Sequence, residues 1–404
     1  MKKVLLYYNF SYPVGGGDYL PLLFASYLKD RCDVTLAVDL KAGFEKSAAF
    51  FKMDSELSGL RVVQLMPEGY TLAAHDFRCS LHRSRQLKKL AAGADVRIST
   101  CNVIDFGKPG RHFINIIDFG DDGFADYVNR RRVPLLKRMR RSLMGAVLRP
   151  IAGMRSKRAI IGDPRERIYP NSGYVERLLK EFYGPFNGAL FYPPTTFTPG
   201  NAPAPARDPL KVVYIGRFNP KKRIPDIAGA VERARAASGL DLSLHLAGPN
   251  DPGEYGSLIR RMAEEKPWIR LVGPVYGEEK ETFLRSGTYA IHAERDEAFG
   301  ISVTEYLKAG CIPIVPDEGG TTEIVDSPAL TYASDDEAAA ILTRLLQDEA
   351  FREAQRTHCA KRAEAFSMRT YMENQRRVLD GILADAGETG RPASPHLATP
   401  RHAP

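Results

Sequence analysis

Short apolar runs of strand length alternate with stretches of helical period along most of this 404-residue chain, and a proline-rich break interrupts the alternation near its middle. Such alternation is what parallel sheets demand, because each parallel strand is reached by a long crossover that is usually a helix. In the first half the strand candidates are Val4 to Tyr8, Val34 to Val38, Arg61 to Leu65, Val96 to Ser99 and Phe113 to Ile117. In the second half they are Val212 to Ile215, Ser243 to Ala247, Ile269 to Val272, Tyr289 to His292 and Ile312 to Val315. Tyr192-Pro193-Pro194 and the run to Pro209 carry too many prolines for regular structure. The expected fold class is therefore α/β, with two Rossmann-like doubly wound domains facing each other across a cleft. The boundaries read as an N-terminal domain over 1–191, a linker over 192–210 and a C-terminal domain over 211–366. A closing helix over 367–386 and a tail over 387–404, rich in Pro, Ala and Thr and read as disordered, complete the chain. His396 and His402 in that tail are read as inert.

Within the second half, Glu297-Ala-Phe-Gly-Ile-Ser-Val-Thr-Glu305 sets two carboxylates eight residues apart across the Phe299-Gly300 step. From Gly300 the residues fall at helical spacing, and Gly310 suits a left-handed C-cap before the buried run Ile312 to Val315. Glu297 then precedes a helix, and Glu305 lies about two turns inside it. The amides of Gly300 and Ile301 and the positive end of the helix dipole suit a phosphate or diphosphate. Carboxylates on both sides of that phosphate can accept bonds from hydroxyls, and a diphosphate flanked by hydroxyls is a nucleotide sugar. The competing reading is a pair of surface acids near a helix start, where acids are favoured anyway.

Two more segments carry chemistry. The strand Val212 to Ile215 ends in Gly216-Arg217-Phe218-Asn219-Pro220-Lys221-Lys222-Arg223 before a helical stretch, which places cations at the carboxyl end of a parallel strand. Lys221 and Arg223 are the better candidates for a merely solvated basic turn. At the N-terminus, Val4 to Tyr8 leads through Ser11-Tyr12-Pro13-Val14-Gly15-Gly16-Gly17 into a helix over Tyr19 to Lys29. Asp39 after the second strand raises a dinucleotide-binding alternative, but three successive glycines do not make Gly-x-Gly-x-x-Gly.

With these residues in view, the segment from His292 to Val325, including Gly319-Gly320-x-x-Glu323, resembles the donor-binding signature of retaining glycosyltransferases of family 4 (glycosyl transferases group 1). The resemblance implies the GT-B architecture over nearly the whole chain. It also implies that Glu297 contacts sugar hydroxyls, Glu305 the ribose, and Arg217 and Lys222, in Gly-Arg-x4-Lys, the diphosphate. Arg217, Lys222 and Glu297 would then be the catalytic set. Gly16 and Gly17, in a Pro-x-x-Gly-Gly loop, would face the donor, with Phe299, Gly300, Ile301 and His292 lining its site. For His292 a strand-end histidine satisfied by backbone stands beside that reading. Many relatives carry a histidine near the end of the strand His112 to Asp118, where Asn115 or Ile117 stands here; His112 is the remaining candidate. The implied activity is retaining transfer of a hexose from a nucleotide sugar to a lipid-linked or cell-envelope glycan. A sugar-nucleotide epimerase or phosphorylase, or a silent sugar-nucleotide-binding subunit, stands as the alternative. No cofactor and no metal are expected: Asp118, Asp121 and Asp122 read as a solvated acidic loop, and Arg, Lys and a helix end can neutralise the diphosphate.

Composition restricts the setting. The five cysteines, Cys32, Cys79, Cys101, Cys311 and Cys359, lie far apart with neither metal-ligand nor disulfide spacing, which suits a reducing cytoplasm. The first apolar run is a poor signal peptide, and none approaches the roughly 18 residues that span a bilayer. Residues 129–162 carry eleven cations, from Arg130 to Arg158, and no acid, with Leu and Met interleaved near helical spacing. That segment reads as an element for an anionic membrane surface or as a packed helix with a solvated basic face. Nucleic acid is not expected, since no stacking aromatics accompany the arginines. The expected location is cytoplasmic, with peripheral contact on the inner face of the membrane.

Overall fold

The computed structural model describes residues 1–10, 14–71, 77–115, 124–128, 149, 152–197, 205–249 and 253–386. The chain divides into two compact units, one formed by Met1–Pro194 together with the residues from Tyr371 onward, the other by Thr195–Thr370.

The first unit is built on a sheet of β1 (Lys3–Tyr8), β2 (Asp33–Val38), β3 (Arg61–Gln64), β4 (Val96–Ser99), β5 (Arg111–Ile114) and β6 (Arg167–Pro170). Their order is β3-β2-β1-β4-β5-β6, and every pairing is parallel. Val4 to Tyr8 of β1 are all buried, which explains the unbroken apolar run: a parallel strand covered on both faces has no polar side. Helix Tyr19–Lys29 lays Phe24 edge-on to Phe113 of β5 at 4.8 Å, and Phe191 packs edge-on to Phe113 at 5.0 Å. The last helix, Met368–Asp385, joins this core. Gln375 donates to the Leu23 carbonyl at 3.3 Å, Tyr27 donates to Asp380 at 2.7 Å, and Lys2 donates to the Leu383 carbonyl.

The second unit repeats the plan with β7 (Asp208–Ile215), β8 (Ser243–Ala247), β9 (Ile269–Gly273), β10 (Gly287–Ile291), β11 (Ile312–Pro316) and β12 (Thr331–Tyr332). The order is β12-β11-β10-β7-β8-β9, again all parallel. In each sheet the chain order runs outward both ways from the first strand. The reversal falls between β1 and β4 and between β7 and β10, and in open α/β sheets ligands collect beyond the carboxyl ends of strands at such a point.

Sequence and structure differ at particular strands. β5 starts two residues earlier than the apolar run suggests and stops at Ile114, because the next residue turns aside: the Asn115 amide donates to the Cys101 carbonyl at 3.1 Å and its Nδ2 to the Thr100 carbonyl at 2.9 Å. β6 and β12 add edge strands that the apolar runs do not announce, being four and two residues long. Of the basic run over 129–162, residues 129–148 and 150–151 lie outside the described residues. Two arginines that follow are built into the first unit: Arg155 pairs with Asp163 and Glu166, both at 2.8 Å, and Arg158 donates to the carbonyls of Phe182 and Tyr183. The tail over 387–404 also lies outside the described residues, as do Ser11 to Pro13, Ile117, Asp118, Asp121 and Asp122.

Candidate functional site

The carboxyl ends of β7 and β10, the two strands flanking the switch point of the second sheet, hold most of the residues singled out in the sequence. Beyond β7 the chain passes through Gly216 and Arg217 into a short turn, Pro220–Lys222, opened by the Asn219 side chain accepting from the Lys221 amide at 3.1 Å. Arg217 is exposed and makes no ion pair or hydrogen bond among the described residues. Its neighbour Arg223 is committed elsewhere, to Asp226 at 2.8 Å and Asp335 at 3.5 Å.

Beyond β10 the chain runs through His292, Glu294 and Glu297 into helix Ile301–Ala309, with Gly300 at its start (φ 105°) and Gly310 left-handed at its end (φ 78°). The first amides of this helix have no acceptor within it. Tyr306 on its buried face accepts a hydrogen bond from the Ile215 amide at 2.9 Å, which ties the helix to the end of β7 just before Arg217. The loop carrying Glu297 is held from the other side by Gly319 and Gly320. The Gly320 amide donates to the Glu297 carbonyl at 2.8 Å. A Cβ at position 320 would stand 2.3 Å from the Ala298 carbonyl oxygen, so only glycine permits this approach of the two backbones. The Gly-Gly pair is thus what sets the position of Glu297.

Lys222 does not stand open to solvent beside Arg217. Its Nζ lies 2.5 Å from Glu297 Oε2 and equally 2.5 Å from Glu294 Oε2. Burial alone would lower the Lys222 pKa, but the two carboxylates outweigh it and raise the group above the ordinary lysine range. For Glu297, burial is overcome by Lys222 and His292, which bring its carboxyl down to about 2. Glu294 moves the other way, pushed up by burial and by the charge on Glu297 although Lys222 pulls against both. The same ammonium touches both groups, so the pair titrates as a unit whose negative charge is concentrated on Glu297.

His292 is 1% exposed, and burial followed by the Lys222 charge lowers it to about 4, so the ring is neutral at pH 7. Neither of its nitrogens has a hydrogen-bond partner among the described residues. Glu297 Oε2 is 3.6 Å away, too far for a hydrogen bond. The backbone-satisfied reading of this histidine is therefore not what the fold provides for its ring. His292, Glu294 and Glu297 bring three potential metal-ligand atoms within 4.8 Å of one another, but the Lys222 ammonium already stands against both carboxylates, where a cation would go.

Glu305 lies two turns into the helix, 5% exposed. Lys280, from helix Gly277–Ser286, reaches its Oε1 at 2.7 Å, and the Thr196 hydroxyl donates to the same oxygen. The second carboxylate of the motif is thus oriented by a lysine and a threonine that no spacing in the sequence connects to it.

Gly16 and Gly17 belong to the first unit, in the turn Gly16–Asp18 beyond β1. Asp18, 2% exposed, fixes that turn: it accepts from the Gly15 amide at 3.1 Å, from Tyr8 at 2.8 Å and from Ser47 at 3.2 Å. His112 is fully buried on β5, with Nε2 donating to Glu166 at 3.1 Å and Nδ1 accepting from the Ile104 amide at 3.3 Å. Both of its ring nitrogens are used by the fold, which removes it as a catalytic candidate.

Residues 201–366 match the family model described as Glycosyl transferases group 1. A comparison with curated proteins by sequence yields no match. Among solved structures, HepE from Anabaena in complex with UDP and glucose superposes with a TM-score of 0.66 at 13% identity, over 95% of this chain and 100% of that one. WaaG, a glycosyltransferase involved in lipopolysaccharide biosynthesis, gives 0.65 at 13% identity over 96% of this chain and all (100%) of its own. Sucrose-phosphate synthase from Thermosynechococcus elongatus gives 0.65 at 15%, over 95% and 100%. At such identities the likeness is one of fold, and the chain has the two-domain, Rossmann-like GT-B fold of these structures, with its group 1 glycosyltransferase match in the second unit.

Proposed function

We propose that the protein is a retaining glycosyltransferase that moves a hexose from a nucleotide sugar to a lipid-linked or cell-envelope glycan. The observation that carries this reading is the grouping at one switch point of an uncommitted Arg217, a helix start at Gly300 and the carboxylates Glu297 and Glu305. The family model over the same unit supports it, as does the likeness to HepE, whose structure holds UDP and glucose. Glu305 takes the ribose, Glu297 the sugar, and the diphosphate lies against Arg217 and the amides beyond Gly300.

As the glycosidic bond breaks, the anomeric carbon becomes oxocarbenium-like and negative charge grows on the departing diphosphate. Arg217 and the helix end are aimed at that charge and stabilise it more than the ground state. Retention follows if the acceptor hydroxyl attacks on the face the phosphate leaves, its proton passing to the departing phosphate oxygen, a path that needs no nucleophile from the protein. Metal-independent transfer is part of the proposal, since the cation beside the carboxylates is the Lys222 ammonium.

Ligand-induced thermal stabilisation tests the reading, because a ligand that binds only the native state raises the melting temperature. Across UDP-, GDP-, ADP- and TDP-sugars, one nucleotide family is expected to stabilise the protein equally with and without EDTA. A flat response to all of them would refute the donor site, and a response abolished by EDTA would refute metal independence.

For the acceptor, the reading rests on the acid-free run over 129–162. No helix among the described residues is long and apolar enough to cross a membrane. Association is therefore proposed to be peripheral, through Arg138, Arg140 and Arg141, at roughly 1 kcal/mol for each cation near an anionic leaflet. Neutralising these three should weaken binding to phosphatidylserine vesicles in a salt-sensitive way; unchanged binding would leave a packed basic helix as the role of the segment.

A further inference from the structure

The cluster around Lys222 contains more acid than the reading above uses. One carboxylate beside the transferred sugar is supplied by Glu297, and Glu294 is left over. Both sit on the same ammonium at 2.5 Å, and Glu294 is only 15% exposed. Two carboxyl groups thus share a single lysine, and the neutral His292 ring adds no further cation to the cluster. A stabilising role is weak grounds for such an arrangement, because an apolar replacement for a buried ion cluster is often as stable or more so.

Two further polar groups at the same spot are unspent. His292 has neither ring nitrogen bonded, and the Tyr214 hydroxyl, on β7 with the residue 1% exposed, also lacks a partner among the described residues. Buried polar side chains in native proteins are nearly always hydrogen-bonded. A surplus carboxylate beside two unbonded buried groups therefore describes a place built for a ligand rich in hydroxyls, which donate to carboxylates and can also serve an imidazole. A phosphate does not suit it, since the acid pair repels an anion. The open Arg217 does suit a phosphate.

We propose that Glu294 is a sugar-recognition residue of the donor site, acting with Glu297 and His292 on hydroxyls of the transferred sugar. Lys222 is then a positioning residue that holds the two carboxylates in place, and Arg217 serves the diphosphate. The inference rests on the glycosyl-transfer reading and names the face of the site that distinguishes one sugar from another.

The test is calorimetric binding of UDP, GDP, UDP-glucose, UDP-galactose, GDP-mannose and GDP-glucose to the wild type and to Glu294→Gln, which keeps the shape and an acceptor for Lys222. Free UDP or GDP should bind within about twofold of wild type, while the preferred sugar nucleotide weakens about tenfold, as expected for the loss of a charge-assisted bond. The ratio between that sugar nucleotide and its epimer should also change several-fold, which general loosening of the site would not produce. Equal weakening of nucleotides and sugar nucleotides, or none, overturns the inference while the transfer reading stands. A wild type that binds neither these six ligands nor any ADP- or TDP-sugar overturns both.

Discussion

Arg217→Ala is expected to lower kcat/KM for sugar transfer by about 10²–10³ while changing stability by less than about 0.5 kcal/mol. The two magnitudes separate because the side chain is exposed and makes no ion pair or hydrogen bond among the described residues, so the folded state loses little with it. Its use arises only when negative charge accumulates on the leaving diphosphate, where a planar guanidinium can hold two oxygens at once. Arg217→Lys should recover part of the rate, since it restores charge without the fork. Lys222 cannot be used in the same way. Its removal leaves two largely buried carboxylates without their shared cation, so lost activity would be mixed with lost structure. Transfer within tenfold of wild type in Arg217→Ala would remove this residue from the mechanism.

Glu305→Ala should cost roughly 3 kcal/mol of stability and, separately, most of the affinity for free nucleoside diphosphate. The first loss comes from Lys280, which is 15% exposed and would be left unpaired; breaking a buried pair from one side is costly because the other charge stays behind. The second comes from the ribose hydroxyls, which lose a charged acceptor. A double-mutant cycle with Lys280→Ala tells the two apart. The double variant should regain most of the stability and none of the nucleotide affinity, read by denaturant unfolding and by calorimetry with UDP and GDP. If the stable double variant binds nucleotide as the wild type does, Glu305 is a structural partner of Lys280 and nothing more.

Much of the fold is written in local patterns. Strands with both faces covered, such as Val4 to Tyr8 and Ile312 to Val315, are apolar throughout. Two of the edge strands, β6 and β12, lack that signature. Arg167-Ile168-Tyr169-Pro170 opens with a charge and closes with a proline, and Thr331-Tyr332 is too short to show any period. In the site, the spacing of Glu297 and Glu305 and the left-handed glycine at 310 are local features, readable as such. What the spacing does not contain is the company each residue keeps. Glu294 joins the site through Lys222, and Glu305 is oriented by Lys280 and Thr196, all distant in sequence. Tyr306 reads as one more core residue until its hydroxyl is found on the amide of Ile215. A contact between elements is set by how sheets and helices pack, and no short-range period records it.

The first unit is closed by the helix Met368–Asp385, bonded to Leu23, Tyr27 and Lys2. On the ribosome this ordering becomes a delay. The residues of Thr195–Thr370 must all be made between the last strand of the first unit and the helix that completes its core. At about 5–20 residues per second that interval is on the order of 10–35 s. Throughout it Leu23 and its neighbours await their cover, so the second unit, contiguous in sequence, can finish folding while the one begun first is still open. The exposed surface of that waiting unit is where a nascent-chain chaperone would have most to protect.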